Sequence, residues 1–229
     1  MTNKSNEVEF LGRPFTALRP NDETVNEIIA PPYDVITRAE AKELATDKPF
    51  SFLRVSRAEL EMDDDLDPYD KSVYERAHKN LSKLRSAGKL LLEDKACFYV
   101  YQIRNSTHRQ TGLALSASVR AYKQNNIRKH ELTRHAKETD RTTQIETVKA
   151  MTGPVLLVHA QNKNLDDQLK QVTASRAPDY SSSLEGWLHS VWIVSEDNVI
   201  KSMYSAVNKM GKLYIADGHH RSAAAARVA

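Results

Sequence analysis

A chain of 229 residues, 40% hydrophobic and 28% charged, has the composition of a globular protein, with enough length for one large domain or two small ones. The formal net charge of +3 favours small anionic ligands only weakly and argues against a nucleic-acid partner. A single cysteine, Cys97, excludes an internal disulfide, and the lack of a signal peptide or long apolar run predicts a cytoplasmic protein without a membrane partner.

The first part of the chain predicts short elements interrupted by prolines. Thr37 followed by Glu40 is a capping box, which predicts a helix over Arg38–Ala45. Ala30–Asp34 contains two prolines, which push the preceding residues into extended conformations and predict a rigid turn. The other expectations are a loose terminus (Met1–Glu9), an extended segment or edge strand (Phe10–Leu18), a helix (Asn21–Ile29) and a strand (Pro49–Val55).

An acidic segment and a helix follow. Glu59–Asp67 contains six acidic residues without the ligand spacing of a calcium loop, so a solvated loop is predicted. Asp67 and Pro68 predict the start of a helix, as cap and first residue, and Gly88 predicts its end. The stretch 88–95 is a possible boundary within a chain that otherwise predicts a single region over residues 1–229.

Strands and helices alternate in the second half of the chain, around a predicted hairpin of Ala96–Arg104 and Thr111–Val119. This pattern predicts an α+β or mixed α/β fold. The remaining predicted elements are a helix (Lys137–Met151), a buried strand (Val155–Val158), a helix (Leu165–Val172), a polar loop (Ala174–Ser183), a strand with Trp192 in the core (Leu188–Val194) and a helix (Glu196–Met210).

The most informative stretch lies near the end of the chain. Leu213–Ala216 is a short apolar run typical of a buried strand, Asp217-Gly218 signals a turn, and the Ala-rich residues beyond favour a helix. A helix N-terminus attracts anions through its unbonded amides and its dipole, and an arginine can hold a phosphate through two parallel hydrogen bonds. The predicted phosphate ligands are therefore Gly218, His219, His220, Arg221 and Ser222.

Other interpretations of this turn stay open. Asp217 could cap the helix while the histidines and the arginine lie solvated at the surface. His219 and His220 could ligate a metal, but adjacent histidines usually point in different directions and only one carboxylate is near, which argues against a preformed zinc site. The chain stops at Ala229 inside the predicted helix without a stop signal, so we expect a longer protein.

Four stretches of the sequence occur together and in order over nearly the whole chain. They are Arg13–Phe15 with Ala17–Pro20, then Ala30–Ile36, then His130-Glu131 with Thr133 and Asp140-Arg141, then Tyr214–Arg221. Together they resemble a broad, mainly bacterial family known as domain of unknown function 1015. Members of that family are considerably longer, in agreement with the abrupt end of this chain.

The Asp217–Arg221 turn is also similar to the second motif of the ParB/sulfiredoxin fold, in which a Gly-x-x-Arg turn at a helix N-terminus grips nucleotide phosphates. This resemblance implies a strand–turn–helix phosphate site in a mixed sheet with flanking helices. Sulfiredoxin has a catalytic cysteine in the turn and this sequence has none there; ParB partition proteins bind DNA, but no basic helix-turn-helix is evident here. The closest functional similarity is to the free-serine kinases, which have a similar Asp-Gly-His-x-Arg turn.

The similarity to free-serine kinases implies a phosphotransferase that uses Mg²⁺ and a donor such as ATP, ADP or pyrophosphate to phosphorylate the hydroxyl of a free, serine-like amino acid. Glu131 is the first candidate for the base and Asp140 the second. The implied catalytic residues are Glu131, Asp217, His220 and Asp140; Asp217 would also bind the metal, His130 and Arg141 would contact phosphate with the turn, and Arg54 is a weaker phosphate candidate.

Two alternatives accompany this hypothesis. Glu131 and Asp140 could simply form salt bridges with nearby basic residues. The whole site could belong to a non-catalytic module that senses a nucleotide or phosphometabolite, which needs the phosphate cradle but no base. The oligomeric state is left open by the sequence.

Overall fold

The computed structural model describes residues 10–229, and the predicted loose terminus Met1–Glu9 lies outside the described residues. The fold is of the mixed α+β class, as predicted. The helices are α1 (Val25–Ile28), α2 (Arg38–Ala45), α3 (Leu53–Ser56), α4 (Lys71–Ser86), α5 (Val119–Lys123), α6 (His135–Val148), α7 (Lys163–Ser175), α8 (Asp197–Asn208) and α9 (His219–Val228), with a 3-10 helix over Ala58–Glu61. The strands are β1 (Gly12–Arg13), β2 (Leu18–Arg19), β3 (Leu91–Leu92), β4 (Phe98–Arg104), β5 (Arg109–Ala114), β6 (Ser116–Ala117), β7 (Ile127–Arg128), β8 (Leu156–Val158), β9 (Tyr180–Leu184), β10 (Trp187–Val194) and β11 (Leu213–Asp217).

The predicted N-terminal cap is confirmed for α2, whereas the cap of α4 lies three residues later than predicted. The Thr37 side chain accepts a hydrogen bond from the Glu40 amide, and the Glu40 carboxylate accepts one from the Thr37 amide, so α2 begins with a complete capping box. Helix α4 is capped by Asp70 and not by Asp67, because the Asp70 carboxylate accepts from the Ser72 amide at 2.8 Å. Gly88 follows α4 at φ +67°, a left-handed conformation that glycine adopts without strain.

The predicted strand Pro49–Val55 is wrong, because its second half forms the short helix α3. Leu53 and Val55 are both about 1% exposed, but they pack into two different hydrophobic clusters. A helical turn can direct both side chains inward between helices, whereas an edge strand would need a partner strand. Arg54, the weak phosphate candidate, pairs with Glu61 at 2.7 Å and donates to the Ala45 carbonyl, so its guanidinium holds local structure.

A four-stranded antiparallel sheet with the order β5-β4-β10-β9 forms the larger part of the scaffold. The predicted hairpin is confirmed as β4 and β5, but the end of its predicted second arm forms β6, which pairs with β1, and Val119 begins α5. The predicted loop Ala174–Ser183 is partly wrong, because β9 adds to the edge of the sheet by pairing with β10. Its serine-rich sequence lacks an apolar pattern, and the ladder with β10 stabilises it as a strand instead. Trp192 is buried in the core, as predicted.

A smaller three-stranded sheet has the order β7-β11-β8. Strand β7 runs parallel to the central strand β11, and β8 runs antiparallel to it. Val155–Val158 does contain a strand, but the prediction that it is buried is wrong, since Leu156 and Val158 are 45% and 46% exposed. Ile215 of β11 is buried in the main hydrophobic cluster together with Phe98, Trp192 and Met203. None of the helices among residues 10–229 is long and apolar enough to cross a membrane.

Candidate functional site

The parallel pairing of β7 with β11 determines where the candidate residues meet. Leu213 lies opposite Ile127 and Tyr214 lies opposite Arg128. The carboxyl ends of parallel strands lie at the same edge of a sheet, which is the usual place for a binding crevice in sheets of this kind. The segment after β7, with His130 and Glu131, therefore lies beside the turn and helix after β11.

The turn after β11 is tight and depends on glycine. Gly218 has φ +93°, and a Cβ atom there would lie 3.1 Å from Val155 Cγ2 and 3.3 Å from Arg221 Cζ. Helix α9 begins directly after it, earlier than the predicted Ser222, so the two histidines and Arg221 form its first turn. The Ser222 amide donates to the Gly218 carbonyl at 2.9 Å. The amides available to an anion at this helix end are therefore those before Ser222.

Arg221 and Asp217 are engaged with each other. The guanidinium donates to Asp217 Oδ2 at 2.6 Å and also to the Pro154 carbonyl. The Arg221 side chain is only 13% exposed, while that of Asp217 is 66% exposed. Arg221 thus connects the turn to the segment before β8. To bind a phosphate through two parallel hydrogen bonds, its guanidinium would have to release Asp217 or the Pro154 carbonyl.

His219 is buried next to the segment that follows β7. Its side chain is 4% exposed, and its Nδ1 lies 3.5 Å from Glu131 Oε2. Its Nε2 accepts a long hydrogen bond of 3.4 Å from the His130 amide, and the two rings meet edge to face at 4.4 Å between centroids. Burial, and next the neighbouring His130, lower the pKa of His219, while the Glu131 and Asp217 carboxylates oppose that shift.

His220 points to a different part of the same segment. Its Nε2 accepts a hydrogen bond of 3.0 Å from the amide of Arg134, the residue that caps the N-terminus of α6. Adjacent residues on a helix lie about 100° apart, which is why the two histidines contact different residues.

Glu131 is the accessible member of this group, with a side chain that is 57% exposed. It opens onto a cavity of about 640 Å³, the size of a small-molecule pocket. The Lys129 ammonium lies over the Tyr122 ring in the wall at 4.3 Å, and the Arg227 guanidinium donates to Glu138 at 3.3 Å. The cavity is lined by Tyr122, Lys123, Lys129, His130, Glu131, Leu132, Thr133, Glu138, His219, Ala223, Ala226 and Arg227.

Asp140 and Arg141 lie on α6, apart from the residues that line this cavity. Arg141 donates twice to Asp140 Oδ2, at 2.8 and 2.7 Å, and Tyr74 donates to Asp140 Oδ1 at 2.8 Å. The Arg141 guanidinium lies over the Tyr33 ring at 4.4 Å. Burial raises the pKa of Tyr33, and the charges of Arg141 and Arg221 oppose that shift. Asp140 is therefore fully engaged and is a poorer candidate for a base than Glu131.

Sequence reasoning missed several residues in and around the site. Tyr33 lies beside Arg141 and belongs to the Ala30–Ile36 stretch on which the family resemblance rests, so the sequence could have identified it as a site residue. No sequence signal identified Tyr74, Tyr122 or Arg227, because their roles depend on which helices pack together.

The residues present fit a magnesium site only in its simplest form. Among residues 10–229, no group of three or more His, Cys, Asp or Glu side chains is arranged to hold a metal ion. Mg²⁺ commonly uses one or two carboxylates and completes its shell with water and substrate phosphates. Asp217, largely exposed beside the helix end, can supply one such carboxylate.

The structure is that of an α+β protein in which a strand–turn–helix segment lies next to a cavity. The chain belongs to the family described as protein of unknown function (DUF1015), whose model matches residues 13–229. No curated protein and no solved structure gives a significant match.

Proposed function

We propose that this protein binds phosphate groups and is a Mg²⁺-dependent small-molecule kinase that phosphorylates the hydroxyl of a free, serine-like amino acid. One observation carries the proposal. The exposed carboxylate of Glu131 and the N-terminal turn of α9 lie at the same edge of a parallel strand pair, beside a cavity of about 640 Å³. A cytoplasmic location, where ATP, ADP and pyrophosphate occur, is part of the proposal.

In the proposed reaction, the acceptor hydroxyl attacks the terminal phosphorus of the donor. A bond forms between the acceptor oxygen and phosphorus, the bond from phosphorus to the donor's bridging oxygen breaks, and the hydroxyl proton passes to Glu131. Negative charge then moves onto the leaving phosphate. The first-turn amides of α9 can stabilise that charge, and Mg²⁺ held partly by Asp217 would neutralise it when bound with the donor.

The remaining residues have supporting roles in this proposal. Lys129 and Arg227 give the cavity wall positive charge suited to a polyphosphate. His130, which lines the cavity, is a candidate phosphate contact, and Arg141 with Asp140 would act from outside the cavity wall. Arg221 supports the cradle through Asp217 and Pro154, and it gains a direct phosphate contact if the donor displaces one of them.

The proposal is tested by phosphorus NMR of the protein with Mg²⁺, L-serine and, in turn, ATP, ADP or pyrophosphate. We expect a phosphoserine signal with one of the donors, lost in Glu131→Gln. The matched control is Glu146→Gln, which removes an exposed carboxylate from α6 outside the cavity wall and should leave turnover unchanged. Product formation that survives Glu131→Gln would contradict the assignment of the base.

A phosphate-sensing module is the second candidate, because the carboxylates of Asp217 and Asp140 are already occupied by Arg221 and Arg141 and are less suited to act as a base. Such a module needs the cradle but no base. Donor line-broadening that is weakened by Gly218→Ala and unaffected by Glu131→Gln, without any product, would support the sensor. The absence of any donor interaction would overturn both proposals.

A further inference from the structure

We propose that His219 and His220 are positioning residues, which together fasten the segment 130–134 across the N-terminus of α9 and so keep the Glu131 carboxylate on the cavity. The catalytic consequence rests on the proposed function, whereas the fastening itself does not. This role differs from the direct phosphate contact that the sequence predicts for both side chains.

The geometry of the two imidazoles supports the proposal. His219 accepts the amide of His130, immediately before Glu131, and His220 accepts the amide of Arg134, three residues after it. The two bonds therefore bracket Glu131 on both sides. The His220 bond, at 3.0 Å, has ordinary length, and the His219 bond, at 3.4 Å, is the weaker of the two.

These bonds also fix where each ring carries its proton. A backbone amide can only donate, so the Nε2 atom that faces it must offer a lone pair, and the proton of the neutral ring lies on Nδ1. In His219 this Nδ1 proton faces Glu131 Oε2 across 3.5 Å. The same imidazole thus holds the backbone before Glu131 and presents a donor to its carboxylate.

The arrangement explains why two histidines follow Gly218. The side chain of His219 is 4% exposed and that of His220 contacts the start of α6, so both rings are occupied by the segment 130–134. Their backbone amides remain at the end of the helix, where an anion would bind. One dipeptide therefore supplies backbone donors to the ligand and side-chain acceptors to the neighbouring segment.

The test uses the full chain and two pairs of variants. His220→Leu and His219→Leu remove the acceptor, whereas His220→Gln and His219→Gln keep an acceptor oxygen near the position of Nε2. We expect hydrogen exchange at the Arg134 amide to accelerate roughly tenfold in His220→Leu, the factor that about 1.4 kcal/mol represents. His220→Gln should stay within about twofold of the parent. The effect of His219→Leu at the His130 amide should be smaller, and the amides of β4 should not change in any variant.

Nitrogen-15 NMR of the imidazoles provides a second measurement that does not depend on the variants folding. We expect both neutral rings to carry their proton on Nδ1. Protons on Nε2, or Leu variants whose Arg134 and His130 amides exchange as in the parent, would overturn the fastening.

Turnover separates this inference from the proposed function. If the parent phosphorylates serine, His220→Leu should lower kcat without changing the KM of the donor, and His220→Gln should restore it. A faster Arg134 exchange with unchanged kcat would overturn the positioning role. If the parent shows no phosphoryl transfer, the kinase proposal fails, and the exchange and tautomer measurements still decide whether the histidines fasten the segment.

Discussion

The two larger sheets of this protein are built differently and carry different tasks. In the four-stranded sheet, β4 and β10 pair without interruption from Leu188 opposite Arg104 to Val194 opposite Phe98. In the three-stranded sheet, the pairing of β11 with β8 shifts register between Ile215 and Asp217. None of the residues in the proposed site lies in the four-stranded sheet. Asp217 is the last residue of β11, His130 and Glu131 follow β7, and the others lie in the turn after β11 or on the helices α6 and α9.

The four-stranded sheet stabilises the fold, whereas the three-stranded sheet positions the candidate site. Regular antiparallel pairing buries Phe98, Val100 and Val194 in the main cluster and provides stability. The irregular end of β11 releases the chain into a turn that only glycine adopts easily, and places charged side chains at an open edge. We therefore expect substitutions in the four-stranded sheet to change stability most, and substitutions at the site to change binding and turnover most.

The largest effect on stability should come from the core of the four-stranded sheet. Phe98 is 0% exposed, so Phe98→Ala leaves a cavity and should lower the free energy of unfolding by about 3–5 kcal/mol. The control is Tyr101→Ala on the same strand, where the side chain is 40% exposed and the loss should be smaller. Urea unfolding measures both, and equal losses would contradict the distinction between buried core and exposed face.

The turn of the site should be the next most sensitive position. Gly218→Ala places a side chain in a left-handed conformation and against Val155 and Arg221, so we expect a loss of about 2–3 kcal/mol together with weaker donor binding. Gly88→Ala is the matched control, because it has φ +67° but no atom within 4 Å of the new Cβ. Its cost should be about 1 kcal/mol, from backbone strain alone.

Two histidines should contribute to the pH dependence of stability: His189 in strand β10 and His219 at the start of α9. Burial lowers the pKa of both His219 and His189 below the ordinary value of 6.5, so folding favours their neutral forms. Their contribution is complete above pH 6.5 and is lost as the pH falls towards their folded pKa values, because the unfolded chain then binds more protons.

Urea unfolding at pH 7.5 and 5.5 measures this loss. His219→Gln and His189→Gln should each reduce the difference between the two pH values, and the double variant should reduce it further. An unchanged difference in both single variants would show that other groups cause the loss of stability in this range.

The smallest effect on stability should come from the residue with the largest proposed effect on turnover. Glu131 is 57% exposed, so Glu131→Gln should change the free energy of unfolding by less than about 0.5 kcal/mol. Removing a general base should lower kcat by about 10²–10⁴-fold. Urea unfolding beside the phosphorus NMR assay measures both, and a large loss of stability would place Glu131 in the scaffold and not in the site.

The sequence by itself determined the elements whose signals are local. The capping box of Thr37 and Glu40, the β4–β5 hairpin and the strand–glycine–helix order after Leu213 are all present as predicted. Each depends on hydrogen bonds or conformational preferences between residues close in the chain, which the sequence displays directly. The family membership followed from four short stretches, of which Tyr214–Arg221 also belongs to these elements.

Only the tertiary structure decided which of the candidate residues share one site. The parallel pairing of β7 with β11 places Glu131 beside His219, 88 positions later. Asp140 and Arg141, on α6, contact Tyr74 and Tyr33 instead. Packing between distant segments also turned Leu53–Ser56 into a helix. These outcomes depend on the free energy of packing and pairing between distant segments, which exceeds the weak local preferences that a sequence reveals.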